Sequence, residues 1–209
     1  MALPLSVSTQ SRARFSASIP MTLSSEEYTI RPIDYASDVE AIHEIYCYEV
    51  LNHTATWEVD PPTLGEMRDR VKNVLDAGFP WYVAIKGDQV VGYSYASAYR
   101  PRVGYRYSVE NSVYVAQGHQ RHGLGIKLLK IVIEACTKLG YRAMIAVIGT
   151  SSSGSIELHA SCGFSQTGFL QNIGFKFGRW ISITIMQLPL GDGYSTPGGE
   201  LKRWNRDDM

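Results

Sequence analysis

One segment constrains the fold of this chain more than any other: a strand-forming run that leads through a glycine-bearing basic turn into an apolar helix. The strand is predicted over Ser108–Val115, the turn reads QRHGLG at 120–125, and apolar residues then recur at helical spacing to Leu139. The first turn of a helix offers unpaired N–H groups and the positive end of the helix dipole, so anions bind there. The turn is neither GxxxxGK[ST] nor GxGxxG, so no nucleoside-triphosphate or dinucleotide fingerprint is present, and a glycine turn that merely enters a helix is the alternative.

Strand and helix patterns alternate around this unit. Strands are predicted at 28–33, 81–85, 90–99, 142–148, 164–169 and 180–188, and helices at 39–50, 63–77 and 153–162. Thr63 and Glu66 form a capping box, and KGDQ at 86–89 is typical of a hairpin turn. The pattern indicates a mixed α/β class with a sheet that is partly antiparallel and partly parallel.

Composition excludes several functional classes. Lys plus Arg and Asp plus Glu number 20 each in 209 residues, so no net positive field holds a nucleic acid or an anionic membrane. Cys47, Cys136 and Cys162 lack the spacing of a zinc or redox motif, and we expect reduced thiols and no metal. The longest apolar run, 143–148, is far shorter than the roughly 20 residues of a membrane span. The sequence therefore predicts a soluble cytoplasmic protein.

The two ends of the chain differ from its middle. Residues 1–27 include an acid-poor, serine-rich start with Arg12 and Arg14, which predicts a disordered arm; a mitochondrial transit segment is the alternative. Residues 28–190 form the predicted domain. Residues 191–209, where Gly, Pro and charge displace the apolar periodicity, are expected to be a loose tail.

The turn at 120–125 matches the Q/R-x-x-G-x-G/A signature of the GCN5-related N-acetyltransferases (GNAT) in full. Other stretches, in the same order, resemble the phosphinothricin and methionine sulfoximine acetyltransferase group of that superfamily: AYRPR at 98–102, VENSVYV at 109–115, AVIG at 146–149, SIELH at 155–159 and GFKFGRW at 174–180. The resemblance covers about 28–187. It implies an acyl-CoA N-acyltransferase fold, a mostly antiparallel twisted sheet flanked by helices, with a splayed parallel strand pair. It also implies acetyl-CoA as co-substrate, and a homodimer with the last strands and Trp180 at its interface.

The resemblance assigns cofactor contacts to the strand and the turn. The backbone of Val113, Tyr114 and Val115 is expected to bind the pantetheine arm as a missing strand would. The pyrophosphate loop corresponds to Arg121, His122, Gly123, Leu124, Gly125 and Ile126, with main-chain N–H groups as the principal donors. Ser152 stands where the superfamily usually has an Asn that contacts the cofactor, and the serine side chain is shorter.

Two catalytic candidates follow. Attack on a thioester needs a neutral amine, and Glu110, on the face of the strand shared with Ser112 and Tyr114, is the candidate base; an exposed edge-strand glutamate is the alternative. His159 stands where the superfamily has the tyrosine that protonates the leaving thiolate, and an imidazole could serve instead. A structural histidine on a helix face is the alternative for His159.

Acceptor recognition is expected near the arginine-rich loop before Glu110. Arg100 or Arg106 could bind a substrate carboxylate, with a solvated basic loop as the alternative. Trp57, Lys176 and Trp180 could complete the pocket, although core packing would explain the tryptophans equally well. The sequence departs from the group at two places, where Thr56 replaces Phe and Ser182 replaces Asp.

The resemblance implies N-acetylation of the α-amine of a small amino acid or analogue, of the phosphinothricin, methionine sulfoximine or methionine sulfone type, by direct attack on the thioester. Acetylation of a protein lysine or N-terminus is one alternative. A non-catalytic acyl-CoA-binding sensor is another, which the presence of Glu110 disfavours.

Overall fold

The computed structural model describes residues 28–150 and 152–206. Within them the chain forms β1 (Thr29–Pro32), α1 (Tyr35–Asn52), α2 (Leu64–Asp76), β2 (Trp81–Lys86), β3 (Gln89–Ala98), β4 (Ser108–Val115), α3 (Leu124–Leu139), β5 (Ala143–Gly149), α4 (Ser153–Ser161), β6 (Ser165–Lys176) and β7 (Arg179–Pro189), with a short 3₁₀ turn at Val103–Tyr105. No helix in these two ranges is long and apolar enough to cross a membrane. The predicted arm at 1–27 lies outside the described residues.

Local signals set most helix ends. Asp34 caps α1 by accepting a hydrogen bond from the Ala36 N–H at 3.0 Å. The predicted capping box of α2 is confirmed, because the Thr63 hydroxyl accepts from the Glu66 N–H and the Glu66 carboxylate accepts from the Thr63 N–H. Gly123, at φ 74°, begins α3 in the left-handed conformation that glycine adopts without strain.

β6 and β7 are longer than the sequence predicted. β6 continues past residue 169 through an irregularity at Asn172, φ 50°, whose N–H donates to the Ser182 hydroxyl of β7 at 3.0 Å. The two strands then join at Phe177 and Gly178, both with positive φ, as a tight right-twisting hairpin requires. Phe177 is an unusual residue for such a turn, so the residues of the turn did not predict a hairpin.

The strands form one sheet in the order β1-β2-β3-β4-β5-β7-β6, seven strands within the described residues. Neighbouring strands are antiparallel except β4 and β5, which are parallel. These two pair over three residues and separate after Glu110 and Ile145, while β4 stays paired with β3 as far as Val115. The predicted splayed pair is confirmed, and its facing edges leave backbone groups free for a ligand.

Each face of the sheet is covered by helices. On one face, α1 and α2 bury Ile42, Val50 and Val71 against β2 and β3. On the other, α3 buries Leu129 and Val132 against the sheet. The three cysteines are free, and burial raises the pKa of the Cys136 thiol, which keeps it protonated.

The C-terminal segment differs from the expectation of a loose tail. The Lys202 N–H donates to the Leu139 carbonyl at 2.9 Å, and the Trp204 N–H donates to the Gly78 carbonyl at 3.0 Å. The Trp204 indole also donates to the Tyr82 hydroxyl at 3.3 Å and packs on the core. Residues 198–204 therefore close over the end of α3, because a tryptophan there buries apolar surface that composition alone did not weigh.

Candidate active site

Two adjoining cavities open where β4 and β5 separate. The larger, about 460 Å³, lies between the end of β4 and the first turns of α3 and α4; the smaller, about 180 Å³, lies in the split itself. Both are lined by Ala55, Val113, Tyr114, Ser152 and Ser155. A ligand that enters along β4 can therefore extend from the larger cavity into the smaller one.

The turn before α3 forms one end of the larger cavity. The Gln120 side-chain amide donates to the Val115 carbonyl at 3.2 Å, which ties the turn to the end of β4. Arg121 has φ 62°, and the first helical bond runs from the Lys127 N–H to the Gly123 carbonyl. The N–H groups of the first helical turn consequently have no partner within the helix and can donate hydrogen bonds to an anion.

The predicted turn residues have different surroundings. Arg121 and Gly125 line the larger cavity, whereas the Leu124 side chain is buried in the core. A Cβ on Gly125 would lie 2.5 Å from a methyl carbon of Leu158, so glycine permits α3 and α4 to approach here. The His122 ring lies 6.5 Å from the Tyr28 ring, and it is not among the described residues that line either cavity.

Glu110 lies at the last position of β4 that pairs with β5, directly before the split. Its side chain is half-buried and lines the smaller cavity. Burial raises the pKa of its carboxyl group, and the positive charge of Arg100 lowers it in part. A carboxylate with a raised pKa, beside a cavity and near a free strand edge, is suited to remove a proton from an amine.

His159 is buried, 3% exposed, on the other side of the split. Its Nδ1 lies 2.7 Å from the Ser155 carbonyl and must donate to it, so Nε2 of the neutral ring accepts from the Asn111 amide at 2.9 Å. Burial lowers the pKa of His159, which favours this neutral form. In this arrangement Nε2 carries no proton to deliver.

The arginines and aromatic residues expected at the acceptor pocket are dispersed. Trp57 lines the smaller cavity. Arg100 is exposed but close enough to influence the Glu110 carboxyl, whereas the Arg106 guanidinium lies 4.6 Å over the Tyr107 ring and donates to the Val103 carbonyl. Neither arginine is among the described residues that line a cavity.

Lys176 and Trp180 also lie outside the described linings. The Lys176 ammonium donates to the carbonyls of His53 and Thr56, at 2.8 and 3.0 Å. Trp180 is 62% exposed and packs edge-to-face on Phe175. The sequence pattern identified both positions, but the structure brings neither side chain to the described surface of the pocket.

Comparison with known proteins decides the family. The chain matches the model of an acetyltransferase (GNAT) domain over residues 32–185. It is 46% identical over 160 residues to a phosphinothricin N-acetyltransferase of Alcaligenes faecalis, with 76% of this chain and 81% of that protein covered. It is 38% identical over 169 residues to an L-methionine sulfoximine/L-methionine sulfone acetyltransferase of Salmonella typhimurium, with 81% and 98% covered.

The chain belongs to the GNAT acetyltransferase family. A solved phosphinothricin acetyltransferase of Sinorhizobium meliloti, in complex with AcCoA, superposes on this GNAT domain with a TM-score of 0.81 at 42% identity, over 83% of this chain and 94% of that one. The protein is thus an acetyl-CoA-dependent N-acetyltransferase, and the fold and cofactor expected from the sequence are confirmed.

The residues of this GNAT domain fit acetyl-CoA. The free edge of β4 at Val113–Val115 can bond an extended chain of amides, and the first turn of α3 can hold a pyrophosphate. Ser152, at the start of α4, lines both cavities and so lies where the two ligands would meet. Bound acetyl-CoA supplies a thioester whose acetyl group is transferred to an amine.

Sequence reasoning missed two parts of the site. Asn111, which alternation puts on the face of β4 opposite Glu110, donates to His159, and the sequence pattern assigned it no role. On the loop after α1, Trp57 was predicted at the pocket and lines it, whereas Thr54 and Ala55 also line the cavities but carry no motif. Alternation along β4 could have suggested Asn111, whereas the loop is brought in by tertiary packing alone.

Proposed function

We propose that this GNAT enzyme acetylates the α-amine of a small amino acid or amino-acid analogue, of the kind named for its relatives: phosphinothricin, methionine sulfoximine or methionine sulfone. The observation that carries the proposal is the half-buried Glu110 at the wall of a cavity of about 180 Å³. This volume is well below the roughly 300–1,000 Å³ of pockets for drug-sized ligands, which suits a small acceptor.

In the proposed reaction the amine attacks the thioester carbon directly. Glu110 receives the proton of the acceptor ammonium, directly or through a water, and the freed lone pair forms the C–N bond as the C–S bond breaks. Of the two backbone amides considered, Val113 and Tyr114, only the Val113 N–H faces the unpaired edge of β4, because alternation along the antiparallel ladder directs the Tyr114 N–H at β3. The Val113 N–H polarises the acetyl carbonyl. No acyl-cysteine is needed, which agrees with the burial of Cys136.

His159 is our second catalytic candidate, as the proton donor to the departing thiolate. To act so, it must first gain a proton at Nε2 and exchange its bond to Asn111. Arg100 is the better candidate for the substrate carboxylate, because its charge reaches the Glu110 carboxyl, whereas the Arg106 guanidinium donates to the Val103 carbonyl. Each guanidinium also lies over the ring of a neighbouring tyrosine. For Lys176 the contacts support a different role, which is developed below.

We also propose a homodimer. The edge strand β6 and the following turn expose Phe169, Leu170, Ile173, Phe175 and Phe177, each at least 40% exposed. Such an apolar strip on an edge strand is typical of an interface. Light scattering tests this: a dimer that becomes a monomer in Phe175→Glu supports the proposal, and a wild-type monomer refutes it.

A thiol-release assay with acetyl-CoA and an acceptor panel tests the activity. The panel contains phosphinothricin, methionine sulfoximine, methionine sulfone and the standard amino acids, with a no-acceptor control. Acceptor-dependent release with one or two compounds is expected. If no compound releases thiol, while a thermal shift still reports acetyl-CoA binding, the small-molecule proposal fails in favour of a protein acceptor or a sensor.

A further inference from the structure

The loop that follows α1 forms the acceptor side of the smaller cavity. Its residues Thr56 and Trp57 line that cavity, and Ala55 lines both cavities. The loop has no regular secondary structure between His53, the C-terminal cap of α1, and the start of α2. Contacts from other elements must therefore fix its backbone.

Lys176 supplies such a contact from the last residue of β6. Its side chain is 2% exposed, and its ammonium donates to the His53 carbonyl at 2.8 Å and to the Thr56 carbonyl at 3.0 Å. One cation thereby bridges the two ends of a four-residue segment. Two hydrogen bonds from a charged donor are stronger than bonds between neutral groups.

The charge of Lys176 also suits its surroundings. α1 has no basic residue in its last turn, and the ammonium lies at the carbonyl end of this helix, where a cation is favoured. Glu49 and Glu58 lie near enough to raise the pKa of Lys176, although burial lowers it more. The buried ammonium is thus compensated by protein groups on the α1 side.

A second contact from β6 supports the wall formed by Trp57. A Cβ built on Gly174 would lie 2.1 Å from the Trp57 ring, so the indole rests directly on the strand backbone. Gly174 is two residues before Lys176. The end of β6 therefore fixes the loop backbone through Lys176 and supports the indole through Gly174.

We propose that Lys176 is a positioning residue, which holds the loop from His53 to Trp57 as the acceptor-side wall of the smaller cavity. The inference rests on the proposed function, because the wall matters for a small acceptor. This role replaces the expectation that Lys176 binds the substrate directly, because its ammonium donates to the carbonyls of His53 and Thr56. Loss of the bridge releases the loop in the free enzyme, before any substrate binds.

Lys176→Met tests this, because methionine has similar length but neither the charge nor the N–H donors. Hydrogen exchange of the free enzyme is expected to rise in peptides that cover residues 53–60 and to stay unchanged in α3. The acceptor KM is expected to rise about fivefold or more, because Thr56 and Trp57 line the smaller cavity. His53, Thr54 and Ala55 of the same loop also line the larger cavity, so the acetyl-CoA KM should rise too, but less, because the edge of β4 and the first turn of α3 hold the cofactor without the loop. Lys130→Met, at an exposed position of α3, is the control.

Exchange at 53–60 equal to wild type, or an equal rise of both KM values, overturns the proposal. If Lys176→Met does not fold, Lys176→Gln, which keeps one N–H donor group, takes its place in the same comparison. A wild-type enzyme that turns over no small acceptor refutes the proposed function instead. Loop exchange still decides the role of Lys176 in that case, because it is measured without substrate.

Discussion

Glu110→Gln removes the proposed base while preserving the size of the side chain. The carboxylate is half-buried at the split between β4 and β5, so bulk water is a poor substitute for it. A positioned general base contributes about 10²- to 10⁴-fold, which corresponds to about 2.7–5.4 kcal/mol of transition-state stabilisation. We expect kcat to fall within this range. The acetyl-CoA KM should change little, because the cofactor edge of β4 begins beyond this residue.

The pH dependence gives a second readout of the same variant. Burial raises the pKa of Glu110, and the enzyme needs the ionised form, so kcat/KM falls as the pH drops through that raised pKa. Glu110→Gln should lose this limb of the profile and keep the limb that the acceptor ammonium sets. Steady-state thiol release between pH 5 and 9, under saturating acetyl-CoA, measures both.

Glu157→Gln is the matched control, since it makes the same chemical change at an exposed position of α4. It should retain wild-type rates and the full pH profile. A Glu110→Gln enzyme within about threefold of wild type, or one that keeps the low-pH limb, would show that Glu110 is not the base. A loss of acetyl-CoA binding in a thermal shift would show instead that the variant disturbs the cofactor site.

Three further outcomes are expected. Arg100→Gln should raise the acceptor KM and move the low-pH limb to higher pH, because it removes a charge that lowers the pKa of Glu110. Arg106→Gln should change neither quantity. Equal effects of the two variants in steady-state kinetics would refute the distinction between the arginines. Gly125→Ala should raise the acetyl-CoA KM several-fold, because its Cβ would meet Leu158 at 2.5 Å, and isothermal titration checks the affinity. Trp204→Ala should lower the melting temperature by about 2–8 °C for a loss of about 1–2 kcal/mol, with little change in KM, and an unchanged melting curve would contradict the packing of the C-terminal segment.

Several elements were predictable because their signals are local. The capping box at Thr63, the alternation along β4 and the glycine turn before α3 each act through neighbours in the chain, and the structure has all three. The extension of β6 was missed because it depends on pairing with β7 and on the irregularity at Asn172. The closing of residues 198–204 over the domain was missed for the same reason, since its partners are distant in sequence.

The sequence by itself determined the family, the cofactor turn and the position of the candidate base, because motifs and alternation are properties of a contiguous segment. Only the tertiary structure decided which side chains meet. In it the Asn111 amide donates to His159, and the Lys176 ammonium donates to the loop after α1. These contacts depend on the separation of β4 from β5 and on the packing of β6 near α1, which bring together residues up to 123 positions apart. Periodicity within one segment carries no information about such pairs.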